Sequence, residues 1–326
     1  MGDDDVTLNP KTDVEIDLNG HDLGSDTDTS KIKIGDDEGT DGKPVTFEDT
    51  TGTGTINNDI EVNKDGKLTI DEKVTENGNI DNEGSFTNEG KVNGNVTNED
   101  GGSLDNKGTL TGNVTNKGEG DVVNEGTITG DVANEGTGNI ENKENAKIDG
   151  DVTNTGSGDV DNKGEVTKDV TNSGTGKVDN DGKVDGNVEN TGKGEIDNSG
   201  TITGTVTNGS KGTFVNEETG TTGDVTNEGT TTNEGTVGKV TQKGGSFDND
   251  GTTGAVTQEG GTIDNEGTIN GNVSVSGGTY KGDNPVGGEV KHDGAKVKVV
   301  DENGQDKYYS TVQEAIDDSD GNVNVC

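Results

Sequence analysis

Seven carboxylates recur through the middle of the chain in one setting, with an apolar residue before each and an asparagine after it: Asp105, Glu141, Asp161, Asp179, Asp197, Asp248 and Asp264. A file of acidic oxygens suits a hard divalent cation, and Asp161, Asp179 and Asp197 are the candidate calcium ligands. Calcium takes about six to eight converging oxygens, and the glycine-aspartate nonapeptide that wraps the ion is missing. The expected association is therefore weak and diffuse, with a solvated charged face as the plain alternative. Lys107, Lys143 and Lys163 stand two residues beyond members of the file and offset part of its repulsion.

A second file is hydroxylic: Thr97, Thr115, Ala133, Thr153, Thr171, Glu189, Thr207, Thr226, Thr241, Thr257 and Ser274. Regularly spaced threonines are what an ice-binding face presents, although threonine is also a favoured exposed strand residue. The neighbouring file, Asn95, Asn113, Asp131, Asp151, Asp169 and Asn187, carries charges expected to hold bulk water. Catalysis needs dissimilar groups converging in a cleft. The sequence contains no arginine, and both histidines, His21 and His292, lie outside the repeating region. No catalytic or cofactor-binding residue is therefore expected. The lone cysteine, Cys326, sits at the end of the chain and forms no internal disulfide.

What positions these files is a repeat. A valine followed two residues later by an amide returns at Val96, Val114, Val132, Val152, Val170, Val188, Val206, Val225, Val240, Val256 and, with Val275 in the amide's place, Val273. The successive gaps are 18, 18, 20, 18, 18, 18, 19, 15, 16 and 17 residues. A near-fixed period of this length marks a solenoid, whose units are too small to bury a core alone and must stack. Within a unit, apolar residues or asparagine alternate with Thr, Asp or Glu at period two, and each run closes in a glycine-bearing turn, as in Val188-Glu-Asn190 and Ile196-Asp-Asn198. Short strands separated by glycine turns, stacked about 4.8 Å apart, make a parallel β-helix with about 18 residues per coil.

The amides test the stacking. Asn98, Asn116, Asn134, Asn154, Asn172, Asn190, Asn208 and Asn227, then Gln242 and Gln258, share a face with their valines and point inward. A buried amide needs partners for donor and acceptor alike, and stacked amides supply them to each other. A second column repeats the device from Leu104-Asp-Asn106 through Val122, Ile140, Val160, Val178, Ile196, Phe214 and Phe247 to Ile263-Asp-Asn265. Asparagine beside glycine also serves turns, and the two readings are compatible.

Composition alone, with 21% hydrophobic residues, 58 glycines and a formal charge of -41, reads as disorder. Periodicity argues for order, since a narrow solenoid needs only about three aliphatic residues per coil beside its amide columns. With 66 acidic residues against 25 basic ones, nucleic acid is excluded as a partner. No apolar run approaches the roughly 18 residues of a membrane span, and Met-Gly-Asp-Asp-Asp is no signal-peptide core. The chain reads as a soluble piece of a longer protein whose flanking domains are its neighbours.

Along the chain, residues 1–75 are strand-rich but off the period and are expected to be irregular capping coils. Residues 76–278 form the regular solenoid, and residues 279–326 a cap or the start of a following domain. Asp13-Val-Glu-Ile-Asp-Leu-Asn-Gly-His-Asp-Leu23 turns at Asn19-Gly20 and resembles the opening coil of bacterial pectin-lyase-like right-handed β-helices. Asn124-Glu-Gly-Thr-Ile-Thr-Gly130 and Asn198-Ser-Gly-Thr-Ile-Thr-Gly204 resemble coils of autotransporter passengers and filamentous haemagglutinin-like adhesins over roughly residues 80–275. That resemblance implies an all-β, right-handed parallel β-helix; handedness comes from it and not from the period. Tyr308 to Asp318 is the one expected helix, capped by Ser310 or Thr311 with Glu314 in its first turn.

The resulting expectation is a non-enzymatic, extracellular rod or adhesin segment at a bacterial cell surface. It acts as a spacer, or offers a flat face to a host or neighbouring-cell surface molecule or glycan. Polysaccharide lyases and hydrolases on similar folds share an acidic cluster with a basic partner, so a glycan-active enzyme is one alternative. A calcium- or ice-binding acidic solenoid is the other.

Overall fold

Val114, Thr115 and Asn116 point in, out and in, and three residues of this alternation are all the strand that fits before the next turn. The computed structural model describes residues 5–25, 29–36, 42–282, 286–288, 290–291, 297–300, 306–309 and 311–317. The chain forms two compact units, Met1–Asp169 and Val170–Cys326. Both are all-β parallel solenoids with turns of about 18 residues.

Each coil of the first unit contributes one strand to each of three sheets, here called A, B and C. In sheet A, Val96–Asn98, Val114–Asn116, Val132–Asn134 and Val152–Asn154 pair in parallel, valine on valine and amide on amide. In sheet B, Ser103–Asn106, Val122–Asn124, Ile140–Asn142 and Val160–Asn162 do the same. Sheet C has two-residue strands, Thr109–Leu110, Thr127–Ile128, Lys147–Ile148 and Glu165–Val166. The second unit repeats the scheme from Val170–Asn172 to Val273–Val275 in A, Val178–Asn180 to Thr279–Gly282 in B and Lys183–Val184 to Thr268–Ile269 in C.

The core of a coil is small. Val114, Val122 and Ile128 are fully buried together with Asn116 and Asn124. Each such aliphatic side chain contributes about 1.5–3 kcal/mol by leaving water. Volume is balanced between coils: Thr231 is buried with Phe214 on one side and Phe247 on the other, so a small residue offsets two large ones.

Glycine ends the strands for a reason the sequence did not disclose. A Cβ on Gly108 would lie 2.1 Å from the carbonyl oxygen of Gly90, and one on Gly126 2.1 Å from that of Gly108. The turns stack backbone on backbone, so close approach excludes side chains there even where φ is ordinary. Left-handed glycines serve the shorter coils of the second unit, at Gly245, Gly261 and Gly278.

The first coils are paired in register although their loops are longer. Val6–Leu8 pairs with Ile32–Ile34, that strand with Ile60–Val62, and that in turn with Ile80–Asn82. Asn19 and Gly20 take φ of 51° and 76°, and the chain turns there from sheet B into sheet C. At the other end, Val290–Lys291 adds in parallel to Val273–Val275, while Val297–Val300 and Asp306–Tyr309 form an antiparallel pair. A six-residue helix, Val312–Asp317, packs on that pair, with Val297, Val299, Tyr309 and Ala315 buried together. Ser310, His292 and Cys326 lie outside the described residues.

Candidate functional site

The inward amides form ladders. In sheet B of the first unit, Nδ2 of Asn88 donates to Oδ1 of Asn106, Asn106 to Asn124, Asn124 to Asn142 and Asn142 to Asn162, all at 2.7–2.8 Å. In the second unit Asn180, Asn198, Asn216, Asn233, Asn249 and Asn265 are linked in the same way at 2.6–2.8 Å. Asn88 and Asn233 belong to this column although the sequence pattern did not single them out; before Asn233, Thr231 stands where the pattern has an apolar residue.

The sheet A amides, Asn98, Asn116, Asn134, Asn154, Asn172, Asn190, Asn208, Asn227, Gln242 and Gln258, are all buried. Their bonding is mixed. Asn82 donates to Asn98 at 2.8 Å, Asn116 to Asn134 at 3.1 Å, Asn208 to Asn227 at 2.9 Å and Asn227 to Gln242 at 2.9 Å. Asn134, Asn154 and Asn172 bond the carbonyls of Gly138, Gly158 and Gly176 on their own turns at 2.9–3.0 Å. Oδ1 of Asn116 and of Asn190 accepts nothing among the described residues.

The outward Asn and Asp file beside sheet A is structural. Oδ1 of Asn79 accepts the backbone N–H of Asn95 at 3.0 Å, Asn95 that of Asn113 at 2.8 Å, Asn113 that of Asp131 at 2.9 Å and Asp131 that of Asp151 at 2.9 Å. Asp151 accepts from Asp169 at 3.1 Å. One oxygen suffices at each step, which is why Asn and Asp interchange freely along it.

The acidic file lies on the outer face of sheet B, and lysines bridge it at Glu141 and Asp161 and at Asp179 and Asp197. Glu141 faces Asp161 in register; Lys163 pairs with both and Lys143 with Glu141. Asp179 faces Asp197, and Lys177 reaches them at 3.6 and 2.7 Å and Glu195 at 3.7 Å. Partial desolvation works against the Lys177 ammonium, yet the bond to Asp197 and the neighbouring charges hold its pKa above the ordinary range. Lys107 pairs with Asp105 at 3.4 Å. The third facing pair is Asp248 and Asp264; burial, then Asp250 and Asp264, push the Asp248 carboxyl up. Among the described residues no cluster of three or more His, Cys, Asp or Glu side chains is arranged to hold a metal ion.

The threonines stand half-buried on the outer face of sheet A. Thr97, Thr115, Ala133 and Thr153 are in register in the first unit, and Thr171, Glu189, Thr207, Thr226, Thr241, Thr257 and Ser274 in the second. Ala133 and Glu189 interrupt the hydroxyl rows. A shallow depression of about 500 Å³, lined by Glu125, Glu141, Lys143, Glu144 and Lys163, lies beside the turn at Asn145, whose φ is 67°. Its two lysines are held by the ion pairs to Glu141 and Asp161. His21 is exposed in the first corner, its backbone N–H bonded to the Leu18 carbonyl at 2.9 Å.

No helix of the described residues is long and apolar enough to cross a membrane. Compared with known protein families, characterised proteins and solved structures, the chain matches none.

Proposed function

We propose that this chain is a non-enzymatic structural segment of a bacterial cell-surface protein, working outside the cell as a spacer or as a flat adhesive face. The supporting observation is the residue-for-residue register of successive coils, which extends to outward as well as inward positions within each unit. Every coil adds about 4.8 Å of length at the cost of a few aliphatic residues. Excess negative charge opposes self-association. Partners of such a face are surface molecules or glycans of a host or neighbouring cell, recognised along the threonine rows.

Spacer behaviour is tested by duplicating residues 114–131 and measuring the distance between spin labels at positions 97 and 153. The spacer reading expects an increase of about 4.8 Å with an unchanged strand signal. An unchanged distance or a lost strand signal discards it. Adhesion is tested on glycan arrays and cell surfaces, where Thr153→Asp and Thr171→Asp together should abolish retention.

A glycan-active reading draws on the depression at Glu125, Glu141 and Glu144. It requires turnover of an acidic polysaccharide that Glu141→Gln removes.

A further inference from the structure

Among the described residues, the first coil of the solenoid is covered on one side only. Val6 begins the inward column of sheet A and is 53% exposed, whereas Ile32, its neighbour in register, is 5% exposed. Leu23 begins the column of sheet C and is 36% exposed, above a fully buried Ile56. Between them lies a cavity of about 310 Å³ whose apolar lining is Val6, Leu8, Ile16, Leu23, Ile32 and Phe47.

The backbone is open on the same side. Val6 and Val14 send their N–H groups to Lys31 and Pro44 of the coil beneath. The alternation of a parallel ladder then aims Thr7 and Glu15 the other way. Among the described residues no strand pairs with that outer edge of Val6–Leu8 or Val14–Asp17, an arrangement that invites strand addition.

Charge selects the newcomer. Asp13, Glu15, Asp17 and Asp22 are exposed along this rim. The nearby Lys31 and Lys33 are already committed to Asp5, Glu61 and Asp81. The Glu48 carboxyl, one coil in, is pushed up by desolvation and then by Glu15, Asp17 and Asp71, so these carboxylates crowd one another. A strand laid on Val14–Asp17 sets its inward residues against Val14 and Ile16 and its outward ones beside Glu15 and Asp17.

We propose that this open end takes up a β-strand from a cationic polypeptide in which aliphatic residues alternate with lysine or arginine. Main-chain hydrogen bonds provide the attachment, the apolar cavity sets register, and the acidic rim selects sign. The proposal stands apart from the spacer reading, since it rests on the edge and cavity of the first coil alone. A second copy of this chain is disfavoured as occupant because its acidic outward files would meet the acidic rim.

The probe is a labelled, end-blocked hexapeptide, Lys-Val-Lys-Val-Lys-Val, titrated into the full chain in 20 mM salt and followed by fluorescence anisotropy. Saturable one-to-one binding is expected, weakened at least tenfold by Glu15→Lys. Glu135→Lys, the same charge reversal at an exposed position on a later coil, should change affinity less than twofold. The isomer Lys-Lys-Lys-Val-Val-Val should bind at least tenfold more weakly. Equal binding of the isomer, equal loss with both reversals, or no saturation overturns the proposal in favour of diffuse attraction or none. Sedimentation as a dimer that Val6→Asp dissociates overturns it in favour of a second copy. Circular dichroism confirms that each variant keeps its strands.

Discussion

Two columns of the same residue, stacked at the same spacing, behave differently. Sheet B amides pass one hydrogen bond from coil to coil without a break in either unit, whereas sheet A amides often bond within their own coil. Turn length accounts for this. After Asn134, Asn154 or Asn172 the chain runs five residues before sheet B, and after Asn190 or Asn208 four, and a glycine carbonyl four residues on lies 2.8–3.2 Å from the amide. After Asn106, Asn180, Asn198, Asn233 or Asn249 the turn into sheet C is tighter. The carbonyl two residues on is then only 3.3–3.5 Å away. A nearer local acceptor competes with the next coil at most sheet A corners, whereas at most sheet B corners the local acceptor is weaker; Asn216, with the Gly220 carbonyl at 3.2 Å, is the exception. Asn208 and Asn216 hold both bonds, the local one at 3.2 Å and the ladder at 2.9 and 2.8 Å, so a nearby carbonyl competes with the ladder without abolishing it.

The sharpest break of the sheet B relay is Asn124→Asp, which places a carboxylate against Oδ1 of Asn142 and removes the donor. On the order of 3–5 kcal/mol should be lost at pH 7, measured by denaturant unfolding. Part should return near pH 4, where the carboxyl is neutral and donates again.

Beside sheet C the amides run outside, Asn93 to Asn77 to Asn57 at 2.7 Å; its inward side has no ladder among the described residues and holds a buried acid instead. Glu76 stands in register between Ile56 and Val92, bonded through one oxygen to the Gly78 N–H at 2.6 Å. The other oxygen accepts nothing among the described residues. Burial pushes its pKa up to about 9. The folded chain thus keeps a proton that the unfolded chain releases above its ordinary value. Stability therefore falls as pH rises from about 4.5 towards 9. Glu76→Gln should remove that slope and add roughly 3 kcal/mol at pH 7, read from unfolding midpoints across that range.

Asn124→Ala and Asn134→Ala compare the corners directly. The first orphans groups on two neighbouring coils and should cost about 2–3 kcal/mol, the second about 1–2 kcal/mol because it orphans its own turn and, on one neighbouring coil, the Asn116 donor. Equal losses would remove the turn-length explanation. The smallest effect belongs outside: Lys177→Ala should cost less than about 1 kcal/mol and vanish in high salt. A larger loss would mean that the outer carboxylates of sheet B depend on their lysine bridges.

The strand register, the inward valines and most ladder asparagines were legible because period-two patterning repeated at a fixed spacing admits few arrangements. Asn233 escaped because Thr231 breaks the apolar pattern, and only the neighbouring phenylalanines show why a small residue fits there. Glu76 escaped because a lone glutamate among exposed ones carries no sign of burial. The Asn and Asp file beside sheet A looked like hydrated surface. That each oxygen caps an N–H one coil away is a long-range fact, invisible within a window of residues.

The sequence by itself determined that the chain coils, how many residues a coil takes and which side chains turn inward, because these follow from local alternation and repeat length. The tertiary structure alone decided which amides join hands, which lysine spans which carboxylates and why the turns are glycine. Those depend on distances of a few ångströms between residues some 18 positions apart in the chain, and on which acceptor happens to lie nearer.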